Sequence, residues 1–173
     1  YNAGNVQSVT YALNRLGAEP EITADPEVIR TADRVIFPGV GEASTAMNHL
    51  KKTGLHTLIP TLKQPVLGIC LGLHMMCRHS EENDTKGLGI FDLEVKRFPA
   101  EEKVPHMGWN TISELKGPLF EGIEVGEYLY FVHSYYAELC PDTVAVCDYI
   151  RPFTVALQHE NFFAVQPHPE KSS

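Results

Sequence analysis

The 173-residue sequence predicts an α/β fold: a mostly parallel, doubly wound sheet with helices on both faces and added antiparallel strands. Helical and strand patterns alternate in the first half of the chain. One compact apolar strand pattern runs directly into a glycine-flanked cysteine, and short β-rich segments separated by turns predominate after residue 90. The length and a hydrophobic content of 43% suit one domain with its own core, so we predict a single domain over residues 1–173.

The first predicted helix follows from apolar residues at spacings of three and four. Val6, Val9, Leu13 and Leu16 share one helical face, and Gly17 ends the helix. A doubly wound fold begins with a buried strand, whereas this sequence opens in the loop before its first helix and stops without a closing helix. We therefore expect a first strand and a last helix in the natural protein that this sequence lacks.

The remaining parallel core is predicted from three short apolar runs. Residues 21–23 favour a short strand and residues 35–37 a clearer one, followed by the loop PGVGEAS. The apolar residues between Met47 and Leu62, which are mostly leucines, indicate two helical pieces joined near Gly54. A strand is predicted next, at residues 66–69. Residues 81–89 form a polar surface loop. The predicted antiparallel strands then lie at residues 93–98, 111–112, 128–132, 143–147, 154–157 and 162–165.

Charge and composition exclude several function classes. A net charge of −8 opposes binding of nucleic-acid phosphates, and the longest apolar stretch, residues 65–77, is too short for the roughly 20 residues of a membrane span. Four cysteines without dense spacing or an export signal indicate thiols in a reducing compartment. The sequence therefore predicts a cytoplasmic protein without nucleic-acid or membrane partners.

Cys70 lies at a predicted strand–turn–helix junction with the pattern G-x-C-x-G. Such a turn exposes a nucleophile in a strained conformation, and Gly68 and Gly72 let the strand and helix approach closely. The backbone N–H of Leu71 would face a developing oxyanion. A buried structural cysteine between two packing glycines gives the same pattern, and the pattern alone leaves both interpretations open.

His168 and Glu170 supply the other side chains that a cysteine nucleophile requires. An imidazole removes the thiol proton, and a carboxylate fixes its tautomer. Pro167 and Pro169 stiffen the segment around His168. A polar loop with a solvent-exposed histidine is the alternative.

We predict no metal site and no cofactor. His74, Cys77 and His79 are predicted to share one helix, but their spacings match no standard zinc pattern. Packing and surface roles explain these residues better.

Six runs in order resemble the class I, or triad, glutamine amidotransferases, and among them the glutaminase subunits of imidazole glycerol phosphate synthase. The runs are YNAGNVQSV, FPGVGEAS, LGICLG, KVPHMGWN, YFVHSYY and HPEKSS. The resemblance spans nearly the whole chain. It implies that Cys70 forms a glutamyl thioester with the help of His168 and Glu170. Ammonia would pass to a (β/α)₈ barrel cyclase that makes imidazole glycerol phosphate in histidine biosynthesis.

The resemblance also implies roles for further residues. Gly39 and Val40 would supply the second oxyanion donor. The residues expected to bind glutamine are Gly41, His74, Glu82, Ser134 and Tyr135, with Glu82 on the α-ammonium group. The residues expected to dock the cyclase are Asn5, Trp109, Tyr130 and Lys171.

Two residues depart from the family pattern. His74 replaces a substrate-binding glutamine, and Pro167 replaces a phenylalanine before His168. Two other functions stay open at this point: a stand-alone γ-glutamyl hydrolase and a non-catalytic subunit of a synthase complex. Subunits that serve anthranilate or pyridoxal phosphate synthesis are closer rivals within the family.

Overall fold

The computed structural model describes residues 6–39 and 41–172. Within these ranges the helices are α1 (Val6–Arg15), α2 (Pro26–Thr31), α3 (Ala43–Thr53), α4 (Leu55–Leu58) and α5 (Leu71–Met76). The strands are β1 (Val35–Gly39), β2 (Val66–Cys70), β3 (Cys77–Ser80), β4 (Thr85–Lys86), β5 (Phe91–Arg97), β6 (His106–Thr111), β7 (Tyr128–His133), β8 (Tyr135–Ala137), β9 (Thr143–Asp148), β10 (Pro152–His159) and β11 (Phe162–Val165). No helix in the described ranges has the length and apolar character to cross a membrane.

A mixed nine-stranded sheet organises the fold. Its order is β1-β2-β11-β10-β8-β5-β3-β4, with β9 paired to β10, and β6 and β7 form a separate two-stranded ribbon. Strands β1, β2 and β11 run parallel to one another, and β10 is antiparallel to β11, β8 and β9. The predicted parallel core with added antiparallel strands is confirmed.

The parallel strands bring their carboxyl ends to one edge. In the register of β1 and β2, Gly39 lies beside Cys70, and in the register of β2 and β11, Val165 lies beside Ile69. The chain that leaves β11 therefore emerges next to Cys70. Ligand sites of open α/β sheets lie at this kind of edge.

Helices cover both faces of the parallel strands, as predicted. On one face Val9 of α1 packs in a cluster with Ile69 and Cys70. On the other face Phe37 and Val66 pack with apolar residues of α3, α4 and α5. Side chains three positions apart on a strand point to opposite faces, so Val66 and Ile69 of β2 belong to different clusters.

A second core lies between the sheet and the ribbon and is rich in aromatic residues. Phe98, Phe131, Tyr136 and Phe153 are buried together there. The ring centroids of Phe98 and Phe153 lie 5.6 Å apart in an edge-on arrangement, one of the favoured aromatic geometries.

Three predictions around the first helices fail in detail. Leu16 lies beyond the end of α1 and is 82% exposed, so it does not belong to the inner face. Residues 21–23 form no strand, because Ile22 is 68% exposed and no neighbouring strand lies beside it within the described ranges. The chain instead enters α2, which the sequence analysis missed although Asp25 accepts a hydrogen bond from the N–H of Glu27 and Pro26 opens the helix.

The segment after Cys70 also differs from the prediction. His74, Cys77 and His79 do not share a helix: α5 ends at Met76, and Cys77 and His79 belong to β3. Cys77 pairs with Phe91 of β5, so sheet pairing takes the place of further helical turns. Part of the predicted loop at 81–89 is the short strand β4, which closes a hairpin on β3.

Candidate active site

Cys70 occupies a strained turn between β2 and α5. Its backbone has φ 53° and ψ −105°, outside the regions that non-glycine residues ordinarily adopt. A Cβ atom on Gly72 would lie 2.0 Å from the carbonyl oxygen of Phe37, and one on Gly68 would lie 2.9 Å from the sulfur of Met76. The predicted elbow, with glycines where strand and helix meet, is confirmed.

His168 and Glu170 form the second part of the site. Nδ1 of His168 lies 2.8 Å from Oε1 of Glu170, and both side chains are almost fully buried. His168 is also hydrogen-bonded to Cys70, so the three side chains are connected in series. Pro167 is buried and does not disrupt this arrangement.

The charge of His168 follows from its neighbours. Burial alone would lower the pKa of His168, but hydrogen bonds to Cys70 and Glu170 and the charges of both outweigh burial and raise the pKa to about 9. The imidazole is therefore protonated at neutral pH in the resting site. A cationic ring therefore lies beside the sulfur of Cys70.

A cavity of about 370 Å³ opens next to Cys70, within the roughly 300–1,000 Å³ typical of small-molecule sites. Its wall contains both Cys70 and His168. All five residues predicted to bind glutamine also lie on it, together with the predicted oxyanion donor; these are Gly41, His74, Glu82, Ser134, Tyr135 and Leu71. Pro105, Val132 and His133 line the cavity as well, and the sequence analysis assigned them no part in it.

Glu82 places a carboxyl group on the cavity wall. Burial raises its pKa, the N–H of Ala43 at 2.9 Å lowers it in part, and the charge of Glu42 raises it further. A carboxylate that has lost part of its hydration suits a positively charged ligand group. Because the same carboxylate also holds the first residue of α3, it connects the cavity to the loop after β1.

The predicted oxyanion and docking residues lie partly outside the described ranges. Gly39 is the last residue of β1 and pairs laterally with Cys70. Val40 and Asn5 lie outside the described residues.

The other three predicted docking residues lie together on the ribbon and beside it. Trp109 and Tyr130 face each other across β6 and β7 with ring centroids 5.9 Å apart, and Lys171 lies 6.0 Å above the Tyr130 ring. Met107 and Tyr128 extend this exposed face; they are 57% and 60% exposed. We call this surface the ribbon face.

Hydrogen bonds connect the ribbon face to His168. The backbone N–H of His168 donates to the carbonyl of Tyr130 at 2.9 Å. Ser172 bridges the same two residues: its hydroxyl donates to the carbonyl of His168 and accepts from the N–H of Tyr130. The position of His168 is thus fixed to strand β7.

Two buried histidines, His106 of β6 and His133 of β7, form a pair at one end of the ribbon, and their hydrogen bonds define their tautomers. Nδ1 of His133 donates to the carbonyl of Tyr135 at 2.8 Å, which leaves Nε2 as an acceptor for Nδ1 of His106 at 3.1 Å. Nε2 of His106 then accepts from the amide of Asn110 at 3.3 Å. The amide orientation follows from Thr111, whose N–H donates to Oδ1 of Asn110. All N–H groups of this series point from Asn110 towards Tyr135.

Gln166 is a site residue that the sequence analysis overlooked. It is fully buried, its Oε1 lies 2.8 Å from Nε2 of His74, and its amide nitrogen lies 3.7 Å from Sγ of Cys70. Alternate residues of an extended segment point the same way, so a position two residues before His168 was a recognisable candidate.

Known proteins resemble this chain at the level of family, sequence and fold. The family model of the class I glutamine amidotransferases matches residues 1–173. The imidazole glycerol phosphate synthase subunit HisH of Bacteroides thetaiotaomicron is 61% identical over 99% of this chain and 89% of that one, and the HisH of Vibrio parahaemolyticus is 46% identical over 98% and 87%. A solved glutamine amidotransferase superimposes with a TM-score of 0.75 at 19% identity, covering 96% of this chain and 87% of that one. A glutamine amidotransferase from Thermotoga maritima gives a TM-score of 0.60 at 17% identity, and the match covers 91% of this chain and 62% of that one.

Proposed function

The chain belongs to the class I glutamine amidotransferases and, within them, to the HisH subunits of imidazole glycerol phosphate synthase, and on that premise we propose that Cys70, His168 and Glu170 carry out its hydrolysis of glutamine. The observation that carries the proposal is the series of hydrogen bonds from Glu170 through His168 to Cys70 at the wall of one cavity. An intact series of this kind opposes a non-catalytic subunit.

The proposed reaction begins with attack of the Cys70 sulfur on the carboxamide carbon of glutamine. His168 gives its proton to the nitrogen, the carbon–nitrogen bond breaks, and ammonia leaves behind a glutamyl thioester. A water molecule then loses a proton to His168 and attacks the thioester. Glutamate is released, and the Cys70–His168 pair returns to its starting state.

The walls of the cavity would hold the substrate around this chemistry. Glu82 would bind the α-ammonium group, and Gly41, Ser134 and Tyr135 would position the rest of the glutamine. The N–H of Leu71 and a backbone donor from Gly39 or Val40 would stabilise the oxyanion, which typically contributes about 2.7–4 kcal/mol per donor.

The cyclase subunit of the same synthase is the partner to which the ammonia passes. We propose that this subunit is a (β/α)₈ barrel that docks on the ribbon face. Trp109 is 51% exposed, and exposed aromatic residues on a soluble subunit are typical of docking surfaces. Val132 lies on the same strand as Tyr130 and lines the cavity, so a partner on this face would sit close to the released ammonia.

The thiols support a proposal for the compartment. Cys70, Cys77, Cys140 and Cys147 are all free. Unpaired cysteines in this number suit the reducing cytoplasm, where we propose that the protein works.

The proposal is tested by measuring glutamate release from glutamine, with and without the cyclase subunit and its nucleotide substrate. We expect the complex to release glutamate and Cys70→Ala to abolish the release. The same variant should leave synthesis from added ammonium salt intact, because that reaction bypasses the thiol. Glutamate release by Cys70→Ala, or loss of the ammonia-dependent reaction as well, would contradict the assignment.

A further inference from the structure

Gln166 holds an amide between two functional side chains in a fully buried position. Its Oε1 lies 2.8 Å from Nε2 of His74, and its Nε2 lies 3.7 Å from Sγ of Cys70. Both Gln166 and His74 are excluded from solvent, with 0% and 4% exposure. Water is thus a poor substitute for either contact.

The direction of the hydrogen bonds follows from the chemistry of the groups. Burial lowers the pKa of His74 to about 4, so the ring is neutral at pH 7 and carries one N–H. The amide oxygen of Gln166 can only accept, so this N–H is on Nε2 of His74. The amide nitrogen, which can only donate, then faces the sulfur of Cys70.

We propose that His74 is a positioning residue: its N–H fixes the Gln166 amide so that an amide N–H points at the Cys70 sulfur and stabilises the thiolate. Without this bond, the amide is free to rotate and present its oxygen to the sulfur, where two negative groups repel each other. The inference rests on the proposed role of Cys70 as the nucleophile.

This role differs from the substrate contact that the resemblance implies for position 74. His74 lies on the cavity wall. However, its single N–H at neutral pH is on Nε2 and already donates to Gln166. Glutamine bound in the cavity would have to compete with Gln166 for that donor. The two roles therefore predict different effects of the same substitution.

The test uses His74→Leu, which fills a similar volume but has no donor, in the assembled complex with the cyclase. We expect kcat for glutamine hydrolysis and the rate of Cys70 alkylation by iodoacetamide at pH 7 to fall together, about 10-fold, while KM for glutamine changes less than about 2-fold. His74→Gln should restore most of both rates, because an amide N–H can replace the imidazole N–H.

Gln166→Glu separates the two contacts of Gln166. A carboxylate can still accept from His74, but it has no N–H for the sulfur and adds a negative charge beside it. We expect a loss of alkylation at least as large as that of His74→Leu. In a Gln166→Leu background, His74→Leu should cause no further loss, because both act through one contact.

The control is His79→Leu, a histidine five residues away whose ring lies at the surface against Asp84, and it should leave both rates unchanged. A several-fold rise in KM for His74→Leu with unchanged alkylation would overturn the proposal in favour of a substrate contact. Unchanged kcat and alkylation would overturn it as well. Because alkylation needs no glutamine turnover, these outcomes are distinct from a failure of Cys70→Ala to abolish hydrolysis, which would refute the proposed function itself.

Discussion

Glu82 is the residue through which the charge of the substrate would be recognised. Its carboxyl is partly buried on the cavity wall, and burial raises its pKa. A ligand ammonium group would bind the ionised form and compensate for the lost hydration. Recognition by Glu82 would therefore weaken as the carboxyl takes up a proton.

We predict that Glu82→Gln raises KM for glutamine about 10-fold or more and changes kcat little, since an ammonium contact exists in both ground and transition states. Because the pKa of Glu82 lies above its ordinary value of 4.5, KM of the wild type should also increase as the pH falls from neutral towards 4.5. That increase should disappear in Glu82→Gln. Steady-state glutamate release by the complex measures both effects.

Glu81→Gln is the matched control, because Glu81 is exposed and its carboxylate accepts from the N–H of Arg97 instead of facing the cavity. An equal rise in KM for both variants would refute the assignment of Glu82.

The proximity of Cys70, His168 and Glu170 could be predicted because these residues lie in short patterns with local meaning. Gly68 and Gly72 mark the turn of Cys70, and two prolines mark the segment of His168. Gln166 was missed because its role depends on two partners, His74 and Cys70, that are more than 90 positions away. Alternation along the extended segment places Gln166 on the same side as His168, but no local pattern identifies its two distant partners.

Among the elements, the β2–α5 junction leaves no room for a side chain at position 72. A Cβ on Gly72 would meet the carbonyl oxygen of Phe37 at 2.0 Å, and that oxygen belongs to the neighbouring strand, which cannot move without disturbing the sheet. At Gly122, where φ is 80°, no atom lies within 4 Å of the added Cβ.

We predict that Gly72→Ala lowers the unfolding temperature by more than about 10 °C or prevents folding, because the clash costs several kcal/mol of strain. In a chain of this size, each kcal/mol of lost stability lowers the unfolding temperature by about 2–4 °C. Gly122→Ala should cost only the left-handed backbone penalty of about 1–2 kcal/mol. Thermal unfolding followed by circular dichroism compares the two, and equal shifts would contradict the close contact.

The ribbon of β6 and β7 packs its inner face on the aromatic core, and its exposed outer face is the proposed docking surface. We predict that Trp109→Ala weakens cyclase binding about 30-fold or more, as for a central aromatic residue of an interface, without changing the unfolding temperature of the isolated chain. Leu139→Ala, at an equally exposed position off the ribbon, should change binding less than about 2-fold. Titration calorimetry measures both affinities, and equal effects would place the interface elsewhere.

Helices and strands were predicted correctly where apolar residues recur at a clear spacing. They were predicted wrongly where a segment has no such spacing of its own. The helix of Val9 and the strand before Cys70 were predicted because their apolar residues repeat clearly. Cys77 and His79 follow α5 without a glycine or proline between them, and only pairing with β5 makes them a strand. Long-range pairing of that kind leaves no mark in the local pattern.

At the scale of the whole molecule, three buried histidines make the fold sensitive to acid. Burial lowers the pKa of His74 and of His106 to about 4 and that of His133 well below its ordinary value of 6.5. At these three positions the unfolded chain therefore binds more protons than the folded chain below pH 6.5. The free energy of unfolding must decrease as the pH falls from about 6.5 towards 4.

We predict a progressive decrease of the unfolding temperature between pH 7 and pH 4.5, and a smaller decrease in His106→Gln. His159→Gln removes an exposed histidine and should leave the acid sensitivity of the wild type unchanged. Differential scanning calorimetry over this pH range measures the slopes. Identical slopes for all three proteins would show that the buried His106 does not contribute to the acid sensitivity.

The fixed direction of the hydrogen bonds from Asn110 to Tyr135 also makes the ¹⁵N signals of His106 and His133 useful reporters of ligand and partner binding. Each of the two rings is held in one tautomer, so its protonated and unprotonated nitrogens resonate far apart in a ¹⁵N spectrum. Asn110 follows Trp109 directly, while Tyr135 lines the cavity. Docking at the ribbon would thus change the ¹⁵N signals of His106 from the Asn110 end of the series. Occupancy of the cavity would change those of His133 from the Tyr135 end.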